Sequence, residues 1–312
     1  MPFFSVIIPV YNKEKYAQAA VKSVLNQTFT DFELIIVNDC STDNSRKEVS
    51  KIISEQIKII EHLENKGLSA SRNTGIKNAT GNFIAFLDAD DEWKPDFLAT
   101  IKSLISTFPE AQLFATNYEE LYADGIKIIH NQKLSKLGNN FLVDDFFELN
   151  LGKPIYFPGS LCVKKTVFDE IGYFDEKITY SEDVDFNIRT NLKFKLAYST
   201  KALVTYTMFS ENQITNSSVK NKIFPDLNQY EIYTENKFSL KKYLDFNRYI
   251  FARKFKTQND LERFQKVTSE INFKNLNYKQ KLLLRLPNSI VNLIFKTKSL
   301  FLKKGYILTS YD

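Results

Sequence analysis

From residue 3 to residue 87 the chain alternates between short β-rich apolar runs and stretches with helical spacing. That alternation restricts the fold more than any other feature. Residues 3–10, 32–37, 57–60 and 83–87 read as strands, and residues 13–26, 45–54 and 68–79 as the helices between them. In residues 13–26 the apolar positions Tyr16, Ala20, Val21, Val24 and Leu25 recur at helical spacing, with Asn12 as the expected N-cap. Strand–helix alternation predicts an α/β fold, a mostly parallel sheet with helices on both faces. Ligands of such sheets bind beyond the carboxyl ends of the strands.

The polar clusters stand at those ends. The first strand runs into Pro9-Val10-Tyr11-Asn12, the second into Asn38-Asp39-Cys40-Ser41-Thr42-Asp43, and the fourth into Asp88-Ala89-Asp90-Asp91. Carboxylates this close repel and raise one another's pKa. A hard cation relieves that repulsion, and Mg²⁺ or Mn²⁺ suits such oxygens. The same Asp88–Asp91 stretch also fits a solvated turn leading into a helix with Pro95 in its first turn. Asp39 and Asp43 also fit Asx-turns. Trp93, just past the acids, fits either a cleft wall or packing. His62 and His130 have no partners at metal-ligand spacing and read as structural or surface residues.

The second half is organised differently. Residues 113–117 and 126–130 read as strands joined around Asp124-Gly125, residues 143–150 as a short helix, and Pro158-Gly159-Ser160 as a turn before a strand at 161–163. A helix is expected from Ser181 to Leu192, and a further strand at 202–206. Glu182 and Asp183 fall in that helix's first turn, where acids and a capping Ser181 are favoured by helix-start chemistry alone. Beyond about residue 225 the pattern is helical, with breaks near Asn259 and Pro287.

The motifs together resemble glycosyltransferase family 2, the nucleotide-sugar transferases with a GT-A type, Rossmann-like fold. Ser5-Val6-Ile7-Ile8-Pro9-Val10-Tyr11-Asn12, Val37-Asn38-Asp39-Cys40-Ser41-Thr42-Asp43, Asn65-Lys66-Gly67-Leu68-Ser69-Ala70-Ser71-Arg72-Asn73-Thr74-Gly75, Phe86-Leu87-Asp88-Ala89-Asp90-Asp91 and Tyr180-Ser181-Glu182-Asp183 carry the resemblance. They follow the family's order over roughly residues 3–210. The resemblance implies a transferase domain over residues 1–224, with a nucleotide-sugar half (1–110) and an acceptor half (111–224). Residues 225–312 would form a helical C-terminal extension.

The resemblance also implies roles. Asp39 would accept the uracil N3–H of a UDP-sugar, with Pro9 and Tyr11 lining the base pocket. Arg72 would lie near the nucleotide and Asp88 would reach the ribose. Asp90 would hold a divalent metal ion, Mn²⁺ or Mg²⁺, that stabilises the diphosphate as a leaving group. Asp183 would be the catalytic base of a single inverting displacement, and Glu182 would orient the base or the acceptor. The donated sugar would be a hexose or N-acetylhexosamine, and the acceptor a glycan carried on a polyprenyl diphosphate, in bacterial cell-surface polysaccharide synthesis. The processive synthases of the family carry Gln/Arg-x-x-Arg-Trp. Trp93 is the only tryptophan here, so one sugar per binding event is expected. The segment Tyr206-Thr207-Met208-Phe209-Ser210-Glu211-Asn212 lacks the basic or His residues many relatives carry, which leaves a third metal ligand from that loop unassigned.

Charge separates the tail from the body. Residues 273–312 hold eight Lys/Arg and one acid, a net +7, so the other 272 residues sum to −2 within the overall +5. Ile290, Leu293, Ile294, Leu300 and Phe301 recur at helical spacing, with Lys296, Lys303 and Lys304 largely opposite and Lys298 inside the stripe. This fits an interfacial helix on an anionic membrane, and equally a packed C-terminal helix with its lysines in solvent. No basic n-region precedes the first apolar run, no apolar run approaches the ~20 residues that span a bilayer, and two cysteines, Cys40 and Cys162, fit a reducing compartment. The expected location is cytoplasmic, peripheral on the inner face of the membrane. No recognisable nucleic-acid module is present, so no nucleic-acid partner is expected. Neither a P-loop nor a Gly-x-Gly-x-x-Gly pattern occurs. The alternative within the same fold is a non-catalytic nucleotide-sugar-binding or assembly protein.

Overall fold

The structure is a computed structural model and describes residues 1–302, the side chains of residues 295, 296 and 298–302 excepted. The chain divides into two compact units. Residues 1–144, 155–216 and 223–225 form the first, and residues 145–154, 217–222 and 226 onward the second.

The first unit is built on one sheet of ten strands: β1 (Phe4–Val10), β2 (Phe32–Asn38), β3 (Ile57–Glu61), β4 (Phe83–Phe86), β5 (Glu92–Trp93), β6 (Leu113–Leu121), β7 (Lys127–Ile129), β8 (Asn140–Leu142), β9 (Leu161–Lys164) and β10 (Leu196–Thr207). The order is β3-β2-β1-β4-β9-β6-β10-β5, with β7 on β6 and β8 on β10. Its helices are α1 (Ala17–Leu25), α2 (Ser45–Ser50), α3 (Leu68–Asn78), α4 (Phe97–Thr107), α6 (Thr166–Ile171) and α7 (Glu182–Lys193). The second unit holds α5 (Phe146–Leu149), α8 (Phe238–Thr257), α9 (Leu261–Ser269), α10 (Tyr278–Arg285) and α11 (Asn288–Leu302).

β3-β2-β1-β4 is the parallel half of the sheet. Every residue of β1 is buried, as a strand covered on both faces requires. Val6 lies opposite Leu34 on one side and Ala85 on the other. Gly75 lets α3 lie close on this sheet, since a Cβ there would stand 2.4 Å from Ile7 Cγ2. The other half is mixed. β9 is antiparallel to both β4 and β6, while β6 and β10 are parallel with two register shifts.

Pro9 shows how the sheet opens. Pairing of β1 with β4 ends at Ile7–Phe86, whereas pairing with β2 continues to Val10–Asn38. The Val10 carbonyl faces β2 and accepts the Asp39 N–H. Pro9 therefore faces the side where β4 has already diverged, and its missing N–H breaks no ladder bond. The chain order reverses about β1, the place such sheets offer to ligands.

Several local expectations are corrected. Asn12 does not cap α1, which starts at Ala17 after Tyr16. Asn12 instead has a left-handed backbone (φ 50) and accepts the Thr42 N–H on its side chain. α2 ends at Ser50 rather than near 54. Pro95 precedes the α4 cap residue Asp96 and gives its carbonyl to the Thr28 N–H. Ser181 makes no capping bond and sits at φ 59.

In the second unit α8 packs on Phe146 and Phe147 through Tyr243, with ring centroids 5.8 and 5.4 Å apart. The fully buried Asp245 is held by Arg248 at 3.1 Å and Lys241 at 3.2 Å. α11 shows Ile290, Leu293 and Ile294 at its surface and Val291 in the interior. Lys303 and Lys304 of the expected amphipathic tail lie outside the described residues, as do the side chains of Lys296, Lys298, Leu300 and Phe301. Among the described residues no helix is long and apolar enough to cross a membrane.

Candidate active site

β2 delivers Asp39 into a clamp. Its Oδ1 accepts the Lys66 N–H at 2.9 Å and contacts His62 Nδ1 at 2.7 Å, and its Oδ2 accepts the Gly67 N–H at 2.8 Å. Gly67 begins α3 at φ +89, a conformation side chains disfavour, so glycine places that N–H. A carboxylate has about four acceptor positions, and this arrangement leaves room for one more donor at Oδ2. His62 Nε2 lies 2.9 Å from Thr74 Oγ1, which fixes the ring that faces Asp39. Tyr11, at the end of β1, is 41% exposed and open to a ligand ring, whereas Pro9 is buried.

β4 and α7 meet through one guanidinium. Arg72, on α3, is 1% exposed. It donates from Nη2 to Asp88 Oδ1 at 2.9 Å and from Nη1 to Glu182 Oε1 at 2.7 Å. Burial works against its charge, but Asp88 and Glu182 outweigh burial and hold its pKa above the ordinary value. Its Nε has no hydrogen-bond partner among the described residues, and an unmet buried donor is costly. Asp88 titrates above its usual range, because burial outweighs the Arg72 pairing.

Asp183 lies beside this bridge at the start of α7. Glu182, Asp88 and Asp185 each hold an arginine, and Asp90 holds a lysine. Among the described residues Asp183 makes no ion pair. Burial and then the Glu182 charge push its carboxyl up to about 7, against the pull of Arg72 and the first-turn amides. The residue as a whole stays partly exposed.

The third group centres on Asp90. Its Oδ2 accepts from Lys13 Nζ at 2.7 Å and from the Ser210 hydroxyl in a shorter bond. Lys13 Nζ also donates to Ser210 Oγ at 3.2 Å and to the Glu211 carbonyl at 2.7 Å. The loop after β10 thus reaches Asp90 through Ser210, and Lys13 through the Glu211 carbonyl, despite having no basic residue of its own. Asp91 is 1% exposed. Its Oδ1 takes the Thr207 N–H at 2.9 Å, and its Oδ2 is unpartnered among the described residues. Burial, Asp90 and Asp88 push its carboxyl well above the usual range.

These residues fit a magnesium or manganese ion. Asp88 and Asp90 offer hard oxygens, and a buried carboxylate oxygen beside them is unmet. Among the described residues no three His, Cys, Asp or Glu side chains form a cage. The ion would therefore take one or two carboxylates here and its remaining oxygens from phosphate or water, as Mg²⁺ commonly does.

Of the two roles open to Trp93, the contacts give packing. It is 4% exposed, stacks on Phe97 at 4.1 Å and donates its indole N–H to the Gly159 carbonyl at 2.8 Å. His62, Lys13 and Ser210 join the site although no motif singled them out for it. Backbone strain marks the same loops. Asn12, Cys40, Ser181, Phe209 and Asn212 are non-glycine residues at positive φ, and such strain concentrates at functional sites.

Comparison with known proteins bears on the family and the fold. The sequence profile of glycosyl transferase family 2 matches residues 5–172. The putative teichuronic acid biosynthesis glycosyltransferase TuaG of Bacillus subtilis is 39% identical over 135 residues, 41% of this chain and 53% of TuaG. The UDP-Glc:alpha-D-GlcNAc-diphosphoundecaprenol beta-1,3-glucosyltransferase WfgD of Escherichia coli is 44% identical over 89 residues, 28% of this chain and 35% of WfgD. Such matched stretches span 15% to 53% of the curated relatives' own length. The crystal structure of S. aureus TarS 1-349 in complex with UDP-GlcNAc superposes with a TM-score of 0.58 at 20% identity, over 90% of this chain and 78% of that one. The fold is of the GT-A type. The chain belongs to glycosyl transferase family 2.

Proposed function

We propose that the protein is an inverting, non-processive transferase. It moves one sugar from a UDP-sugar to a hydroxyl of a lipid-linked glycan acceptor in cell-surface polysaccharide synthesis. The observation that carries this reading is Asp183, a partly exposed residue that makes no ion pair among the described residues, set beside a bridge in which Arg72 ties Asp88 to Glu182. Asp183 takes the proton of the acceptor hydroxyl as that oxygen attacks the anomeric carbon. Glu182, held by Arg72, fixes the first turn of α7 and so the direction of Asp183. Asp39 offers the open position on Oδ2 to the uracil N3–H, with His62 and two backbone amides holding it still. Tyr11 lies against the base, and Asp88 reaches the ribose. The Arg72 Nε is left to take a ligand oxygen.

Asp90, with Asp88, would hold the divalent ion. When bound, that ion supplies Lewis-acid stabilisation of the diphosphate leaving group. A UDP-sugar donor is supported by WfgD, which uses UDP-Glc by name, and by TarS, crystallised with UDP-GlcNAc. WfgD is named for a diphosphoundecaprenol-linked acceptor, which supports the lipid-linked setting, and TuaG is named as a putative teichuronic acid biosynthesis glycosyltransferase, which supports the cell-surface one. The test is a panel of UDP-, GDP- and dTDP-sugars, with Mn²⁺ or Mg²⁺ and diphosphoundecaprenol-linked acceptors, followed by NMR of the product linkage. One UDP-sugar giving a single added β-linked residue is expected. Long polymer, retained anomeric configuration or use of another nucleotide would overturn the reading.

A further inference from the structure

The 208–212 segment is strapped onto residues 12–15 across Asp90. Lys13 Nζ reaches the Ser210 hydroxyl and the Glu211 carbonyl, Lys15 pairs with Glu211 at 2.5 Å, and Asn212 Nδ2 donates to the Asn12 carbonyl at 3.3 Å. A cavity of about 160 Å³ lies between the two segments, lined in part by Lys13, Tyr16, Asp43 and Asn212. The strap carries two left-handed non-glycine residues, Phe209 and Asn212. Its ties converge on one cation. The Lys13 ammonium is nearly buried, at 11% side-chain exposure, and it sits on the same Asp90 oxygen that Ser210 uses.

We propose that Lys13 is the resident cation of the Asp90 carboxylate, so that a divalent ion must displace it. Metal loading and release of the 208–212 strap are then one event. Two positive groups on one carboxylate oxygen repel each other strongly where water is scarce. An ion that binds Asp90 therefore drives the ammonium off. The ammonium leaving Asp90 also leaves Ser210 Oγ and the Glu211 carbonyl, and the strap loses its buried tie. The exposed Lys15–Glu211 pair alone holds little. Lys13 acts here as a positioning residue through Asp90 and the strap, and the proposal rests on the assignment of Asp90 as the metal-holding residue.

The test measures Mn²⁺ binding to the nucleotide-free protein by electron paramagnetic resonance, together with hydrogen exchange of the 208–213 amides. Lys13→Met keeps the aliphatic stem and removes the charge. It is expected to tighten Mn²⁺ by about tenfold or more, the scale of one removed adjacent like charge. Lys15→Met, which removes a neighbouring charge that does not touch Asp90, is expected to leave Mn²⁺ affinity within about threefold, the effect of a screened surface charge. In the wild type, Mn²⁺ is expected to speed exchange at 208–213, and in Lys13→Met that exchange is fast without it. Unchanged or weaker Mn²⁺ binding in Lys13→Met, or wild-type strap amides indifferent to Mn²⁺, overturns the proposal while leaving Asp90 in place. If Asp90→Ala binds Mn²⁺ as well as the wild type, the assignment of Asp90 falls, and this proposal with it.

Discussion

Asp183 is set apart from its neighbours by what it lacks. Glu182, Asp88, Asp90 and Asp185 are neutralised by arginine or lysine, and Asp91, also without an ion pair among the described residues, is too buried to meet a substrate. A carboxyl raised to about 7 by burial and by Glu182 is a serviceable base near neutral pH. The rate should climb about tenfold per pH unit below 7 and level off above it. The same shift acts on stability with the opposite sense. A raised folded pKa favours the fold at acid pH, and that contribution is lost as pH rises from the ordinary carboxyl range through about 7. Asp183→Asn should therefore raise the urea midpoint relative to wild type at pH 8, with the difference shrinking towards pH 5. Arg72 is a different case. Arg72→Ala strands Glu182 and Asp88, and breaking a buried pair of this kind costs about 3–5 kcal/mol, read from urea unfolding at pH 7. Arg72→Lys should recover little, since an ammonium lacks the fork that spans both acids. The acids of the site were legible because each ends an apolar run or opens a helix. Lys13 and Ser210 were not, because they lie 77 and 120 positions from Asp90 and no local pattern encodes such a contact.

Elements were legible where burial writes a period into the sequence. β1, β2, β3 and β4 fall within a residue or two of expectation; β1, covered on both faces, is buried throughout, whereas the edge strand β3 is only partly covered. α1 starts late because Asn12 spends its side chain on the Thr42 N–H and holds a left-handed backbone, which spacing alone does not reveal. The direction of β9 was hidden too. Leu161-Cys162-Val163 is buried between β4 and β6, and such a short apolar run reads the same parallel or antiparallel. The contact between α3 and β1 gives the sharpest test at this scale. Gly75→Ala forces a Cβ to within 2.4 Å of Ile7 Cγ2. Overpacking of this sort costs about 1–3 kcal/mol, and since α3 also carries Arg72, both the Tm and donor affinity should fall. Unchanged values for both would mean that α3 does not rest on β1 as described.

At the scale of the whole molecule, the division of the chain is not a single cut. Residues 145–154 and 217–222 belong with the helices beyond residue 226, so α5 buries Phe146 and Phe147 against Tyr243. The helical pattern beyond about residue 225 was legible in the sequence, but it gave no sign of these insertions, because α5 offers only four residues of pattern. A chain ending at residue 225 should expose both phenylalanines and bind a hydrophobic dye that the full chain does not. The basic tail predicts binding to anionic vesicles that weakens as salt rises. Equal binding after deletion of residues 288–312 would count against it. The central claim is that Asp183, which makes no ion pair among the described residues, performs the proton transfer. Its most direct test is donor affinity and turnover measured side by side for wild type and Asp183→Asn from about pH 5 to pH 9, a span chosen to bracket the Asp183 titration. Donor affinity is expected to be unchanged, turnover lower by about 10²–10⁴, and the wild-type rise through pH 7 absent from the variant. Turnover in Asp183→Asn that matches wild type, or that keeps the same pH profile, would contradict it.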